Sequence, residues 1–439
     1  MTLVRQKDRD ALLLSLRSGV VPRAGQHLIQ VGRGKEIEAL MKDIARIADG
    51  GACFRLIVGE FGSGKSFFLN LIRSIAMQEK LVTATADLNP DRRLHGTGTA
   101  RSLYAELTRN IATRAKPDGG ALSGIVEKFI ATAEAEAKAK GLGTDTIIQA
   151  RLERLQGMVL GYDFAHVIEA YWKGHKQGDQ NLQSDAIRWL RGEFSTKTDV
   201  RNALGIRTIV DDANFYDQLK LLGVFFRLAG HGGLMICLDE MVNIYRLNSQ
   251  ARSSNYEQIL RILNDTLQNN CEGLGFLLGG TPEFLMDTRR GLYSYSALQS
   301  RLAENTFAKS TGLTDYNHPV LRLSSLTPEE FLVLLGKILD VFAYGDTSKR
   351  LLPDEALVAF IQHCLQRIGE AYFRTPRTTI TSFVNLLSIL EQNPSCDWRD
   401  VIGQVEVKKD TGDGNGLATE DADPGSMSGA NDEFADFKL

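Results

Sequence analysis

Short runs of consecutive apolar residues alternate along this chain with longer stretches in which apolar positions recur every three to four residues. The runs lie at 54–58 (Phe54-Arg55-Leu56-Ile57-Val58), 81–89, 234–240 and 274–281. Runs this short and apolar suit strands buried on both faces of a parallel sheet. Helical spacing covers 8–21, a segment from the Gly32-Arg33 turn to about 48, then 100–115, 121–141, 147–160, 163–175, 184–194, 213–229, 255–269, 327–343, 353–369 and 376–392. Residues 28–31 read as extended, and Ser184 reads as the cap of its helix. Strands separated by helices predict an α/β fold, a parallel sheet flanked by helices.

The boundary between the first strand and its helix carries the chemistry. Gly59-Glu60-Phe61-Gly62-Ser63-Gly64-Lys65-Ser66 fits G-x-x-x-x-G-K-[ST], the phosphate-binding loop or Walker A pattern, between an apolar strand and the helix that starts at Phe67. Glycines let such a loop turn several N–H groups and a helix N-terminus toward an anion. Lys65 would reach the terminal phosphates and Ser66 would ligate Mg²⁺. The expected ligand is a nucleoside triphosphate. A second element fits it: Leu234-Met235-Ile236-Cys237-Leu238 ends in Asp239-Glu240, as a Walker B strand does. Asp239 would hold the Mg²⁺ shell and Glu240 would polarise the attacking water.

Between Lys65 and Asp239 lie 173 residues, more than one or two strand–helix units need, so a helical insertion is expected at about 115–205. Within it, 131–140 is rich in Ala, Glu and Lys and reads as a solvated face, and Thr196-Lys197-Thr198-Asp199 follows no apolar strand, so it is not a guanine-reading loop. Past the second strand, Thr281 ends the run 274–281 beside the expected γ-phosphate and could orient the water; a plain turn residue is the alternative. Arg289, Arg290 and Arg301 follow, any one of them a surface cation or a finger presented to a neighbouring subunit's nucleotide, with Arg301 in Ser300-Arg301-Leu302 the first choice. Upstream, the Gly32-Arg33 turn can pack beside the base, a plain loop and surface helix being the alternative. The three C-terminal helices read as a lid. The first has Thr327, Pro328 and Glu330 as a capping box, and the last opens with Arg374 and Arg377, cations that oppose the helix dipole unless an anion sits nearby.

Composition narrows the setting. The chain has 439 residues, 43% apolar and 24% charged, as in ordinary globular proteins. No stretch approaches the roughly 18 apolar residues of a membrane span, and the first ten residues lack the apolar stretch of a signal peptide, so a cytoplasmic, non-membrane protein is expected. Five scattered cysteines without a C-x-x-C pair argue against zinc or disulfides. The net charge of −3 divides into −7 for residues 410–439 and about +4 for the rest, which permits contact with nucleic acid without requiring it. The expected organisation is 1–50, N-terminal helices and Gly-Arg box; 51–325, ATPase core; 326–408, helical lid; 409–439, a disordered acidic tail whose Phe434 and Phe437 could dock a partner.

The order of these elements resembles the AAA+ ATPases, in particular their origin-recognition-like branch. Five stretches are similar to the BrxD-type P-loop ATP-binding proteins of BREX phage-defence systems: 16–22, Val31-Gly32-Arg33, Gly62-Ser63-Gly64-Lys65-Ser66, Gly280-Thr281-Pro282-Glu283-Phe284 and Arg374-Thr375-Pro376-Arg377-Thr378. The resemblance runs over about residues 8–395. It implies ATP with Mg²⁺ and a nucleotide site of Gly32, Arg33 and Gly59 to Phe67. It also implies Thr281 as sensor 1, Arg301 as a trans finger and Arg377 as sensor 2. The expected protein is an oligomeric ATPase acting with other defence proteins, a nucleotide-dependent switch with little turnover being the alternative, and contact with double-stranded DNA is left open. Origin-recognition proteins follow the lid with a winged-helix DNA-binding domain, for which this chain has no room before its acidic tail.

Overall fold

The computed structural model describes residues 3–304 and 313–408. Five strands form one sheet: β1 (Ala52–Val58), β2 (Val82–Asp87), β3 (Leu234–Asp239), β4 (Leu274–Gly280) and β5 (Val320–Arg322). They lie in the order β2-β3-β4-β1-β5, and every neighbouring pair is parallel. Each of β1 and β4 is buried over its full length, because helices cover both faces; hence the unbroken apolar runs.

The two faces still divide by strand alternation. Cys53, Ile57, Met235, Cys237 and Leu277 pack with Leu40 and Ile44 of helix Gly34–Ala48 and with Phe68, Leu69 and Ile72 of helix Lys65–Gln78. Phe54, Leu56, Ile236, Leu238, Phe276 and Leu278 face the opposite side. There helices Thr99–Arg109, Phe215–Leu228 and Ser249–Leu267 join the sheet to a single large core that also takes in Phe129, Phe164 and Trp189 from the helices of 115–205. The extra helices therefore share the sheet's own core. Arg55, the one charged side chain inside β1, is buried against Asp43, its Nε 2.6 Å from Oδ2, and its Nη1 donates to the Tyr316 carbonyl at 3.0 Å, which satisfies a charge that would otherwise be costly there.

A second core holds helices Pro328–Phe342, Asp354–Ile368, Pro376–Gln392 and Trp398–Gln404. Leu12, Leu13 and Leu16 of helix Gln6–Arg17 belong to it, as does Ile29. Arg9 fixes that arrangement: Nε donates to the Phe342 carbonyl at 2.9 Å, and Nη2 pairs with Glu391 at 3.0 Å. The predicted capping box at Thr327 and Glu330 is present.

Several local expectations shift. Residues 26–29 form a helical turn instead of an extended segment, because Ile29 must turn inward to reach the second core. The helix predicted from Ser184 begins at Gln180, capped by Asp179, whose carboxylate accepts from the amides of Asn181 and Leu182; its polar first turn hides it from an apolar-spacing argument. The string at 196–199 starts helix Lys197–Leu204, with Thr196 Oγ1 accepting from Asp199 N. Strand β5 and helix Trp398–Gln404 are too short to leave a periodic signal. The acidic tail at 409–439 lies outside the described residues.

The shared second core yields a test. Leu12 is fully buried there, so Leu12→Ala should cost about 2–5 kcal/mol. Amide exchange should accelerate in helices Asp354–Ile368 and Pro376–Gln392, while β1, β3 and β4 keep their protection. Uniform acceleration across the chain would contradict a separate second core.

Candidate functional site

The parallel register brings three strand ends to one edge. Val58 pairs with Gly280, and Leu238 with Leu278, so β1, β4 and β3 terminate side by side. Gly59 N donates to the Gly280 carbonyl at 3.2 Å and Met241 N to the Gly279 carbonyl at 3.1 Å, which carries the pairing into the loops. The carboxyl edge of such a sheet, where the connections diverge, is where ligands of open α/β folds bind.

On the β1 side, the loop 59–66 turns with Gly62 at φ +77° and Gly64 at φ +79°, conformations that favour glycine. A Cβ at Gly59 would lie 2.4 Å from Ser63 Oγ, and one at Gly62 would lie 2.9 Å from Thr375 Cγ2, so both glycines are required by close approach as well. Lys65 Nζ donates to the Gly59 carbonyl at 2.8 Å and the Glu60 carbonyl at 3.0 Å. Burial pulls the Lys65 pKa down, opposed by Asp239, Glu240, Glu60 and Glu283. Ser63 Oγ is buried with no hydrogen-bond partner among the described residues. Helix Lys65–Gln78 presents its amino end to the same space.

On the β3 side, Ser66 Oγ donates to Asp239 Oδ2 at 2.5 Å across the sheet edge. Gly279 makes this possible, since a Cβ there would stand 2.4 Å from Asp239 Oδ1. Glu240 follows at φ +59°, a conformation disfavoured for a side-chain-bearing residue, with its N–H donating to Asp239 Oδ1 at 2.9 Å. Crowding by protein atoms raises the Glu240 pKa first, then the Asp239 and Asp87 carboxylates, although its side chain reaches solvent on one side; Lys65 and Arg246 oppose the rise. Thr281 ends β4 between the two halves, and its Oγ1 accepts from Phe284 N at 3.3 Å, capping helix Pro282–Met286.

The second core reaches this edge through helix Pro376–Gln392. The Arg377 guanidinium stands 5.9 Å from the centre of the Phe61 ring, and Thr375 packs on Gly62. Phe67 packs into the second core. Gly32 lies against Glu330, and Arg33, at φ +59°, directs its guanidinium to the carbonyls of Ser63 and Gly64, on the opposite side of the loop from Lys65's partners in sequence order. Arg301 is exposed and donates to Ala297 O of its own helix at 2.8 Å; Arg290 is turned to the Leu247 carbonyl and the Tyr245 ring. Neither Arg301 nor Arg289 contacts Lys65, Asp239 or Glu240 among the described residues.

Asp87 is a residue the sequence reading passed over. It ends β2 in direct register with Asp239; its side chain reaches solvent, and its pKa is raised first by the crowding of protein atoms around the carboxyl and then by Asp239, with Arg92 opposing. The signal was available: the second apolar run ends in an acid, as the third does. Glu283 acts electrostatically on Lys65 and Arg246 on Glu240, and neither was given a role from the sequence.

A hydroxyl and a carboxylate oxygen held together, beside a lysine and a glycine-lined helix start, fit a hard cation and a polyphosphate. Residues 4–406 match the family described as BREX system ATP-binding protein BrxC/D. The chain belongs to that family. No curated protein matches it at a significant level. As a BrxC/D member it is an ATP-binding protein of the BREX phage-defence system, which gives the polyphosphate a name. No helix among the described residues is long and apolar enough to cross a membrane.

The acids supply a pH test. Asp87 holds its proton more tightly in the folded chain than in the unfolded one, so its ionised form opposes folding, and protonation at falling pH relieves that opposition. Asp87→Asn should therefore raise the melting temperature of the metal-free chain at about pH 7–8 and give a smaller gain at about pH 3, below the ordinary aspartate value of about 4. An equal gain at both values would assign the effect to packing.

Proposed function

We propose that this BrxC/D protein is a magnesium-dependent, AAA+-type ATPase that works as an oligomer and drives or gates a defence complex. The observation that carries the reading is the Ser66–Asp239 contact at 2.5 Å, with Glu240 next in sequence. Ser66 and Asp239 would hold a magnesium ion, which would supply positive charge to offset the charge that develops on the phosphates. The chain's own residues do the rest. The amides of the loop and the amino end of helix Lys65–Gln78 bind the phosphates. Lys65 exchanges its two loop carbonyls for phosphate oxygens, and Asp239, Glu240, Glu60 and Glu283 oppose the lowering of its pKa by burial.

Glu240 accepts the proton of the attacking water at its carboxylate, and its raised pKa makes it a better base than an ordinary surface glutamate. Thr281, at the end of the strand between the phosphate loop and Asp239, orients that water. Arg377 approaches the loop from the second core and answers the terminal phosphate. A trans finger fits Arg301 better than Arg290, because Arg301 is exposed whereas Arg290 is turned to Leu247 and Tyr245. Other BREX proteins are the partners, and double-stranded DNA, if contacted, meets the ATPase face or the helices of 115–205. The cytoplasm is the expected site of action.

Glu240→Gln should bind an ATP analogue as the wild type does and lose turnover by at least about a hundredfold; normal phosphate release in that variant would remove Glu240 from the chemistry. In the wild type, phosphate release per chain should climb with protein concentration, because the finger comes from a neighbour. A flat profile with ATP retained at one per chain would favour the switch, and repeating both measurements with duplex DNA tests the last partner.

A further inference from the structure

We infer that Arg33 is a positioning residue of the phosphate loop, acting on the triphosphate end of the nucleotide from behind and not on its base. This rests on the nucleotide reading above. The Gly32-Arg33 turn is wedged between two elements. On one side, Gly32 lies against Glu330 and the Gln30 carbonyl accepts from Lys337, both on helix Pro328–Phe342 of the second core. On the other, the Arg33 guanidinium donates from Nη2 to the Ser63 carbonyl and from Nη1 to the Gly64 carbonyl at 3.5 Å, with Nη2 also 3.5 Å from the Ser324 carbonyl. Its centre lies 5.7 Å from the Phe68 ring, under the loop.

Peptide geometry gives these contacts their meaning. In a planar trans peptide the C=O and N–H point in opposite directions. The Ser63 carbonyl belongs to the same peptide as the Gly64 N–H, and the Gly64 carbonyl to the same peptide as the Lys65 N–H. Arg33 draws the Ser63 carbonyl back and shares the Gly64 carbonyl with Phe68 N of the following helix, which donates to it at 2.9 Å; together they turn both N–H groups forward, into the concave side where an anion binds. Neither amide donates to an acceptor among the described residues. A planar fork suits two adjacent carbonyls; an ammonium, a point charge, does not. The guanidinium's hydrogen bonds among the described residues all go to carbonyls, and the nearby Glu36 and Glu330 carboxylates offset its charge, so its role toward the phosphates is to aim the amides.

The test uses the full chain with three probes: a non-hydrolysable ATP analogue, the matching GTP analogue and inorganic tripolyphosphate. Arg33→Gln should weaken all three in parallel, on the order of tenfold, with the preference for ATP over GTP unchanged. Arg33→Lys should leave most of that loss in place. Melting temperatures recorded alongside keep a folding defect separate from an affinity change. The inference is overturned by loss confined to the base-bearing probes with tripolyphosphate unaffected, which marks a base contact. It is equally overturned by full recovery in Arg33→Lys, which marks bulk charge, or by unchanged affinities in a variant with a lowered melting temperature. Failure of the wild-type chain to bind any probe would overturn the nucleotide reading itself.

Discussion

The hydrogen bond from Ser66 Oγ to Asp239 Oδ2 joins residues 173 positions apart in sequence, and almost every feature of the sheet core serves it. Ser66 is placed by a loop that cannot form without glycines at positive φ, and Asp239 by a strand whose apolar residues are covered on both faces. Between them runs β4, pairing with both neighbours, so the span from loop to acid is fixed by two ladders of backbone hydrogen bonds and not by flexible side chains. Gly279 leaves the space that Asp239 Oδ1 occupies. A side chain at that position would push the carboxylate from the hydroxyl, although nothing in the local strand pattern would change.

Around that contact the charges are sorted. Amides, Lys65 and Arg33 gather on the β1 side; Asp87, Asp239 and Glu240 gather on the β3 side. Crowding by protein atoms is the first cause of the raised pKa values of Asp87 and Glu240, and repulsion among three carboxylates at adjacent strand ends adds to it. Such an arrangement is unfavourable for the chain alone and becomes favourable with a dication on the acid side and a polyanion on the amide side. The site is thus matched to a pair of ligands of opposite charge, a stronger constraint than either half supplies.

Much of this was legible in the sequence, for identifiable reasons. The phosphate loop and the Asp239-Glu240 strand end are local strings whose residue types are dictated by backbone conformation and ligand chemistry, so they survive without any three-dimensional knowledge. The four long strands and most helices follow from apolar spacing. What escaped reading depends on contacts distant in sequence or on elements too short to show a period. Asp87 matters only because register sets it beside Asp239. Strand β5 has three residues. Helix Gln6–Arg17 has an ordinary amphipathic pattern, and nothing local says that its leucines join a core built from residues more than 300 positions later. Asp179 was hidden because a polar first turn breaks the apolar spacing, even though its side chain caps the helix in the usual way.

The backbone at Glu240 ties these strands of argument together. A glutamate at φ +59° is disfavoured, and a glycine or asparagine would relieve the strain. The conformation is nonetheless held from both sides, by the Glu240 N–H on Asp239 Oδ1 and by the Met241 N–H on the Gly279 carbonyl. Those two bonds turn the chain sharply at the strand end, so that Asp239 faces the hydroxyl of Ser66 while Glu240 projects toward the solvent side of the same edge. With ordinary extended geometry, successive side chains would point to opposite faces of the sheet, and one of the two acids would be lost beneath a helix. The left-handed residue is what lets two consecutive carboxylates lie at one strand end, and the hydrogen bonds on either side hold the strain that this placement costs.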